Sequence, residues 1–405
     1  CEFCSRIKGG GGIFNCSRIL FLLRYNRESI LLDSQVQQQT RQQGPCVFHH
    51  SADNLDDLMR KVFTRLLSGN KRNNRVRSRK GTSTELFGAL LELTNPRARL
   101  GRSEARARVF SPLGELLWYL SGSDALDQIN YYIEGYDEFS DDGETLNGAY
   151  GRRIFGRARL HGDAEPKDEW QRVIDTLRAE PGSRNAIIQI YANADGARNG
   201  ADGKKSKDIP CTCTLHFVIR KKRLHLHVHM RSNDVFLGLP HDVFSFTMLQ
   251  EIAARELGVE PGTYHHSVAS LHLYDDTERQ KPRTNAQKYV DEGLHDIVPM
   301  PPMPLGDPWP AVWQVLEAER EIRAGNPNFE PVADLDPYWR DLIILLRVFA
   351  LGTLRDTKRA AELLNRLNHD GFKLYVLDRI AKKKVADPVI RELFEPEEVD
   401  AQRNP

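Results

Sequence analysis

Hydrophobic positions recur with two periods along the chain, and their succession predicts a sheet flanked by helices. From Asp56 to Leu67, Leu58, Val62, Phe63 and Leu66 fall near helical spacing, with Asn54 and Asp56 as caps. Ser111 to Gly122 is almost wholly apolar and predicts a helix with Ser111 at its cap, Pro112 in its first turn and Gly122 at its end. Trp170, Val173, Ile174 and Leu177 mark an amphipathic helix ended by Pro181 and Gly182, and Ile187 to Tyr191 follows as a strand. Leu215 to Ile219 and Leu224 to Met230 flank Lys221 to Arg223 and predict a hairpin. Val243, Phe246, Leu249, Ile252, Ala253 and Leu257 line one face of a long core helix ending at Gly258. After about Thr284 prolines dominate, and Trp313 to Arg323, Trp339 to Leu351 and Arg359 to Leu367 then read as helices.

This pattern predicts an α/β domain over residues 56–285 and a Pro-rich linker over 286–310. A small helical C-terminal appendage over 311–405 follows, and a leader of uncertain order precedes over 1–55. Within the leader, Ile19 to Leu23 reads as a short strand or a cleavable apolar core. The longest apolar run, Leu342 to Leu346 continuing past Arg347, is too short and interrupted to span a bilayer, so no membrane is expected. The 57 basic and 56 acidic residues leave a net charge of +1, which argues against a nucleic-acid coat and points to a small ligand. Six cysteines in 405 residues make no disulfide scaffold, and a reducing cytoplasm fits them. Cys1, Cys4 and Cys16 fit part of a zinc site or, more plainly, an unstructured leader.

Candidate chemistry gathers in the middle of the chain. Cys211 follows Pro210, and a cysteine nucleophile needs a lowered pKa or a nearby cation; Arg231 and Arg184 are on offer. The alternative is a small buried cysteine. The basic stretch Asn70 to Thr84 is either a solvated charge run or an anion-binding loop of guanidinium and hydroxyl groups. Glu115 lies between Leu113 and Leu116, where burial would raise its pKa toward a general-acid range, unless its helix face is exposed. His225, His227 and His229 share one strand face; without interleaved carboxylates a polar face explains them, and no metal is assigned.

The motifs that carry more lie in order. Gly114 to Trp118, Asn147 to Gly151, Ser183-Arg184, Pro210-Cys211, the run Met230 to Pro240, and Ser270 to Tyr274 together resemble the thymidylate synthase family over roughly residues 56 to 285. The resemblance implies a thymidylate synthase-like mixed β-sheet with surrounding helices. It also implies a homodimer, a pyrimidine nucleoside monophosphate as substrate and 5,10-methylenetetrahydrofolate as one-carbon donor. By the same resemblance Cys211 would add to C6 of the base, Glu115 would manage protons and water, and Tyr150 would line the cysteine pocket and support proton transfer. Arg231, Ser232 and Arg79, with Arg77 as rival, would grip the 5′-phosphate, and Arg184 would reach it from the other subunit. His272 and Tyr274 would bind the 3′-hydroxyl, while Asp234, Gly238 and Tyr136 would contact folate.

One departure bears on the base. Uracil-specific members of the family carry Asn where this chain has Asp242. An amide both donates and accepts, whereas a carboxylate only accepts unless protonated, so Asp242 suits the 4-amino edge of cytosine. Setting uracil O4 against a carboxylate would cost on the order of 1–3 kcal/mol. Thr212, Asn185, Tyr136 and Phe139 also depart from the family pattern, and the C-terminal stretch replaces a short apolar tail that closes over the site. The expected function is hydroxymethylation of dCMP or CMP. Methylation of dUMP and an inactive nucleotide-binding regulator are the alternatives.

Overall fold

The computed structural model describes residues 48–70, 73–106, 108–156, 168–196 and 206–385, the side chains of 382–385 excepted. Its centre is a mixed sheet of seven strands: β1 (Phe48–Ala52), β2 (Asn74–Ser78), β3 (Gly81–Leu93), β4 (Ile187–Gln189), β5 (Thr212–Arg220), β6 (Arg223–Asp234) and β7 (Glu260–Tyr274). They run in the order β1-β3-β7-β6-β5-β4, with β2 paired to β3. The β1–β3 and β6–β7 pairs are parallel and the others antiparallel. This is the mixed α/β architecture expected from the sequence.

Alternation in β6 explains the sheet's two faces. Leu224, Leu226, Val228 and Met230 are buried on one face beside Leu215, Phe217 and Tyr264 of the neighbouring strands. Each such burial contributes roughly 1.5–3 kcal/mol. His225, His227 and His229 take the opposite face. The β5–β6 turn is shorter than expected: Lys221 and Lys222 alone form it, with φ of 50° and 59°, the left-handed pair that a two-residue hairpin requires. The basic stretch expected as a loop is mostly the β2–β3 hairpin. Only Val76 interrupts its polar residues, so no apolar alternation announced a strand.

Helix α1 (Leu55–Leu67) starts where Asn54 accepts from the Asp57 N–H at 2.8 Å. In α2 (Phe110–Leu120) the cap position falls on Val109, not Ser111, and nearly every residue is buried. Ser111 is instead turned to a tertiary partner, His241. Helices α3 (Leu126–Tyr132), α4 (Tyr150–Phe155) and α5 (Glu169–Ala179) follow, then α6 (Leu239–Glu256) and α7 (Pro282–Asp291). The long α6 is buried around most of its girth between the sheet and α2. α8 (Trp309–Arg323), α9 (Pro337–Thr353), α10 (Thr357–Leu364) and α11 (Lys373–Val385) complete the described chain.

The helices expected as an appendage belong to the same hydrophobic core as the sheet. Phe349 packs against Phe110, Tyr131 and Tyr132 with ring centroids 5.1 to 6.1 Å apart. The Tyr132 hydroxyl donates to Glu319 at 3.1 Å, and Trp309 Nε1 donates to Glu256 at 2.7 Å. Phe48–Ala52, placed by the sequence in a leader, is a strand hydrogen-bonded to β3. Cys1, Cys4, Cys16 and the stretch Ile19 to Leu23 lie outside the described residues.

Gly151 sets one approach that matters for the site. A Cβ there would stand 2.3 Å from the Tyr119 carbonyl oxygen and 2.9 Å from that of Trp118, so α4 rests directly on the end of α2. Gly151→Ala is therefore expected to cost about 1–3 kcal/mol as overpacking, read as a lowered Tm. Wild-type melting of that variant would show that the backbones do not meet so closely.

Candidate active site

The loop from Asp208 to Cys211 is tied down on two sides before it enters β5. Asp208 accepts from the Gly148 N–H at 2.6 Å, and Asn147 Nδ2 donates to the Asp208 carbonyl at 3.2 Å. From the adjacent strand, Arg231 Nε donates to Pro210 O and Nη2 to Ile209 O, both at 2.8 Å. Cys211 is thus presented beside a guanidinium by strand pairing. Burial pushes its thiol up from the ordinary value, with Arg231 the largest charge pulling the other way and Lys80 assisting. The expected cation is present, but burial outweighs it.

Of the expected groups Tyr150 stands at the thiol, and Glu115 and Tyr136 are grouped with it around Asp242. The Tyr150 hydroxyl accepts from the Thr212 N–H at 3.1 Å, and its own pKa is raised by burial and then by the charge of Cys211. Glu115 is 7 % exposed, so its helix buries it. Tyr119 donates to its Oε1 at 2.6 Å, and His241 Nδ1 lies 2.7 Å from its Oε2. Tyr136 packs edge-on to Trp118 with centroids 6.2 Å apart, and its hydroxyl is raised by burial and by Glu115.

Asp242 sits in the first turn of α6 and is buried. Burial, followed by the Glu115 charge, lifts its pKa well above the carboxylate range. Its protonated form is thereby favoured, and one oxygen accepts from Asn233 Nδ2 at 3.0 Å. The same amide lies 2.9 Å from His266 Nε2, and His266 Nδ1 lies 2.7 Å from the Tyr264 hydroxyl. Burial pushes His266 down to about 3, which favours the neutral imidazole in this network.

The expected phosphate and sugar groups also converge. Arg79, in the β2–β3 turn, reaches Lys207 O at 3.3 Å beside the cysteine loop, whereas Arg77 lies within β2 opposite Thr82. Tyr274 OH lies 3.3 Å from Ser78 Oγ, and His272 packs edge-on to Tyr274 with centroids 4.9 Å apart. Ser232 and Asp234 pair in register with Ser270 and His272. Asp234 accepts from the N–H groups of Phe236 and Leu237 at 2.8 and 3.2 Å. Gly238 is needed for close approach, since a Cβ would stand 2.9 Å from Asn233 Oδ1. Buried Arg106, pushed down to about 9 by desolvation, holds this turn through Phe236 O and Leu237 O.

Arg184 is not brought into the cluster. It lines a groove of about 850 Å³ with Arg178, Arg220, Lys221 and Lys222, and no cluster residue lines that groove. Sequence reasoning missed His241, Asn233, Lys80 and Asp208. Nothing in the spacing joins His241 to Glu115, which lies 126 positions away. Among the described residues no group of three or more His, Cys, Asp or Glu could hold a metal ion, and none of their helices is long and apolar enough to cross a membrane. The strand histidines are engaged otherwise: His225 Nδ1 accepts from the Thr263 N–H at 3.0 Å.

The sequence model of the thymidylate synthase family matches residues 54–290, which contain every element of this cluster. The chain belongs to the thymidylate synthase family. It is similar to a deoxyuridylate hydroxymethyltransferase of Bacillus phage SP01, 32% identical over 218 residues, covering 52% of this chain and 55% of that protein. A deoxyuridylate hydroxymethyltransferase of Delftia phage PhiW-14 is 30% identical over 211 residues, covering 50% of this chain and 56% of that protein. The match thus spans about half the length of these curated relatives. Family members use methylenetetrahydrofolate as one-carbon donor, and the aromatic side chains present fit a flat heterocycle. Trp118, Tyr136 and Phe139 form an aromatic shelf, Lys80 Nζ stands 4.1 Å over the Phe139 ring, and Trp118 Nε1 is buried without a partner among the described residues.

Proposed function

We propose that this chain transfers a one-carbon unit to C5 of a pyrimidine nucleoside monophosphate and releases it as a hydroxymethyl group. The observation that carries this reading is the convergence of Cys211, Tyr150, Glu115 and Asp242, whose pKa burial raises, in one cluster. The Cys211 thiolate, held by Arg231, forms a bond to C6 and pushes the 5,6 electron pair to C5. C5 takes the one-carbon unit that bound methylenetetrahydrofolate supplies. Tyr150 assists removal of the C5 proton, and the C–N bond to the folate breaks with its electron pair going to nitrogen, which releases tetrahydrofolate and leaves an exocyclic methylene. Water adds there as Glu115 accepts its proton, and departure of Cys211 from C6 restores the 5,6 double bond. Arg79, Arg231 and Ser232 hold the phosphate, His272 and Tyr274 the 3′-hydroxyl, and Asp234, Gly238 and Tyr136 the folate.

In the protonated form that its raised pKa favours, Asp242 alters the base assignment. Its hydroxyl donates and its carbonyl accepts, so it pairs with the edge of uracil or of cytosine. Deoxyuridylate is favoured by the names of the two relatives. Cytidylate or deoxycytidylate is the second reading, favoured by Asp242 standing where uracil-specific members carry Asn. The test is mass spectrometry of products from methylenetetrahydrofolate with an equal mixture of dUMP, dCMP and CMP. A hydroxymethyl nucleotide supports the proposal and names the base and sugar. A methyl group on dUMP makes the chain a thymidylate synthase, and no product favours a nucleotide-binding regulator.

The proposal includes a homodimer in which Arg184 completes the phosphate site of the partner. Arg184→Ala and Cys211→Ser proteins, each inactive alone, are expected to regain activity when their subunits are reassorted, since roughly a quarter of the sites are then intact. Absence of recovery after demonstrated exchange counts against the shared site.

A further inference from the structure

Resting on the hydroxymethylation reading, we propose that His241 is a positioning residue that fixes Glu115 as the acceptor of the water proton. Glu115 stands in an almost wholly apolar helix, where a carboxylate without donors would be costly. It has two. Tyr119, one turn further along α2, donates to Oε1 at 2.6 Å; His241, from the first turn of α6, meets Oε2 at 2.7 Å. A carboxylate only accepts, so the imidazole carries its proton on Nδ1 and offers Nε2 to Ser111 Oγ, 3.3 Å away. Glu115 therefore sets the tautomer, Ser111 donates to the free Nε2, His241 sets the carboxyl plane, and both Ser111 and His241 lie on elements locked by core packing.

Each carboxylate oxygen has two lone pairs, and one on each is taken by these donors. One on each remains for water. Water that attacks the exocyclic methylene gives its oxygen to the new C–O bond and its proton to such a lone pair. The methylene π pair returns to the ring, and the Cys211 sulfur leaves with the C6–S bonding pair as thiolate. His241 touches none of these atoms. It stops the carboxyl group from rotating and holds one lone pair of Oε2, so that the open lone pairs keep a fixed direction toward the water. Asp242, the next residue, places its carboxyl group by the same helix turn, so one turn of α6 orients the base-reading acid and the water-activating carboxylate together.

His241→Phe removes the donor and keeps a ring; His241→Asn leaves an amide N–H near the Nδ1 position. The expected result is a kcat for hydroxymethyl nucleotide lowered roughly 10- to 100-fold in His241→Phe, with the nucleotide KM within about twofold of wild type and most of the loss restored in His241→Asn. Wild-type kcat in His241→Phe, equal losses in both variants, or a loss confined to KM would overturn the inference. Should His241→Phe fail to fold, His241→Leu is judged by the same criteria. A wild-type enzyme that forms no hydroxymethyl product overturns the parent reading and this one; an active wild type with an unaffected His241→Phe overturns this one alone.

Discussion

Cys211→Ser is expected to lower turnover by at least about 10⁴-fold while leaving nucleotide binding within a fewfold of wild type. The serine hydroxyl keeps the size of the thiol but has almost no nucleophilic anion near neutrality. The loop that carries it is anchored by Arg231 and by the contacts of Asp208 with Gly148 and Asn147, none of which involves the sulfur. Nucleotide titration of the variant checks the site, and product formation checks the chemistry. Turnover near wild type would remove the covalent step; lost binding together with a lowered Tm would mean that the sulfur supports the fold.

Asp242→Asn is expected to change base preference and stability together. The acid in the wild type can move its proton between its two oxygens and so offer donor and acceptor in either order. The amide cannot, because Asn233 donates to one side and fixes the carbonyl there. By the family resemblance the fixed order serves uracil, so kcat/KM for a cytosine nucleotide is expected to fall roughly 100-fold relative to dUMP. Rising cytosine preference would refute this. The stability effect follows from the raised pKa, caused first by burial and then by Glu115. In the unfolded chain Asp242 ionises near the usual value of about 4, while the folded chain retains the proton, so its burial costs progressively more as pH rises above that value. The Tm advantage of Asp242→Asn over wild type should accordingly widen between about pH 5 and pH 8. A difference independent of pH would mean that Asp242 is ionised in the fold.

The helices around the sheet were legible because their apolar stripes are long: Leu58 to Leu66, Trp170 to Leu177 and Val243 to Leu257 all lie where periodicity put them. The β2–β3 hairpin was not, since the strand Asn74–Ser78 buries nothing and is held by pairing and by contacts such as Arg75 with Asp275. Periodicity also shows that Trp339 to Leu351 has an apolar face without showing what covers it, which is why a helix packed on Phe110 and Tyr132 read as part of an appendage. At the site, Cys211, Glu115, Tyr150 and Asp242 could be named from motifs. Their electrostatics could not. The raised pKa of Asp242 comes from burial and from the Glu115 charge, and the partner of Glu115 is a histidine brought from another helix.

In the proposed reaction water, not hydride, completes the one-carbon transfer. This is tested most directly by running the reaction in water enriched in the heavy oxygen isotope and determining the mass of the nucleotide product. The expected product carries the label on a hydroxymethyl oxygen, with the folate recovered as tetrahydrofolate. An unlabelled methyl nucleotide with dihydrofolate as co-product would contradict the claim and make the chain a thymidylate synthase.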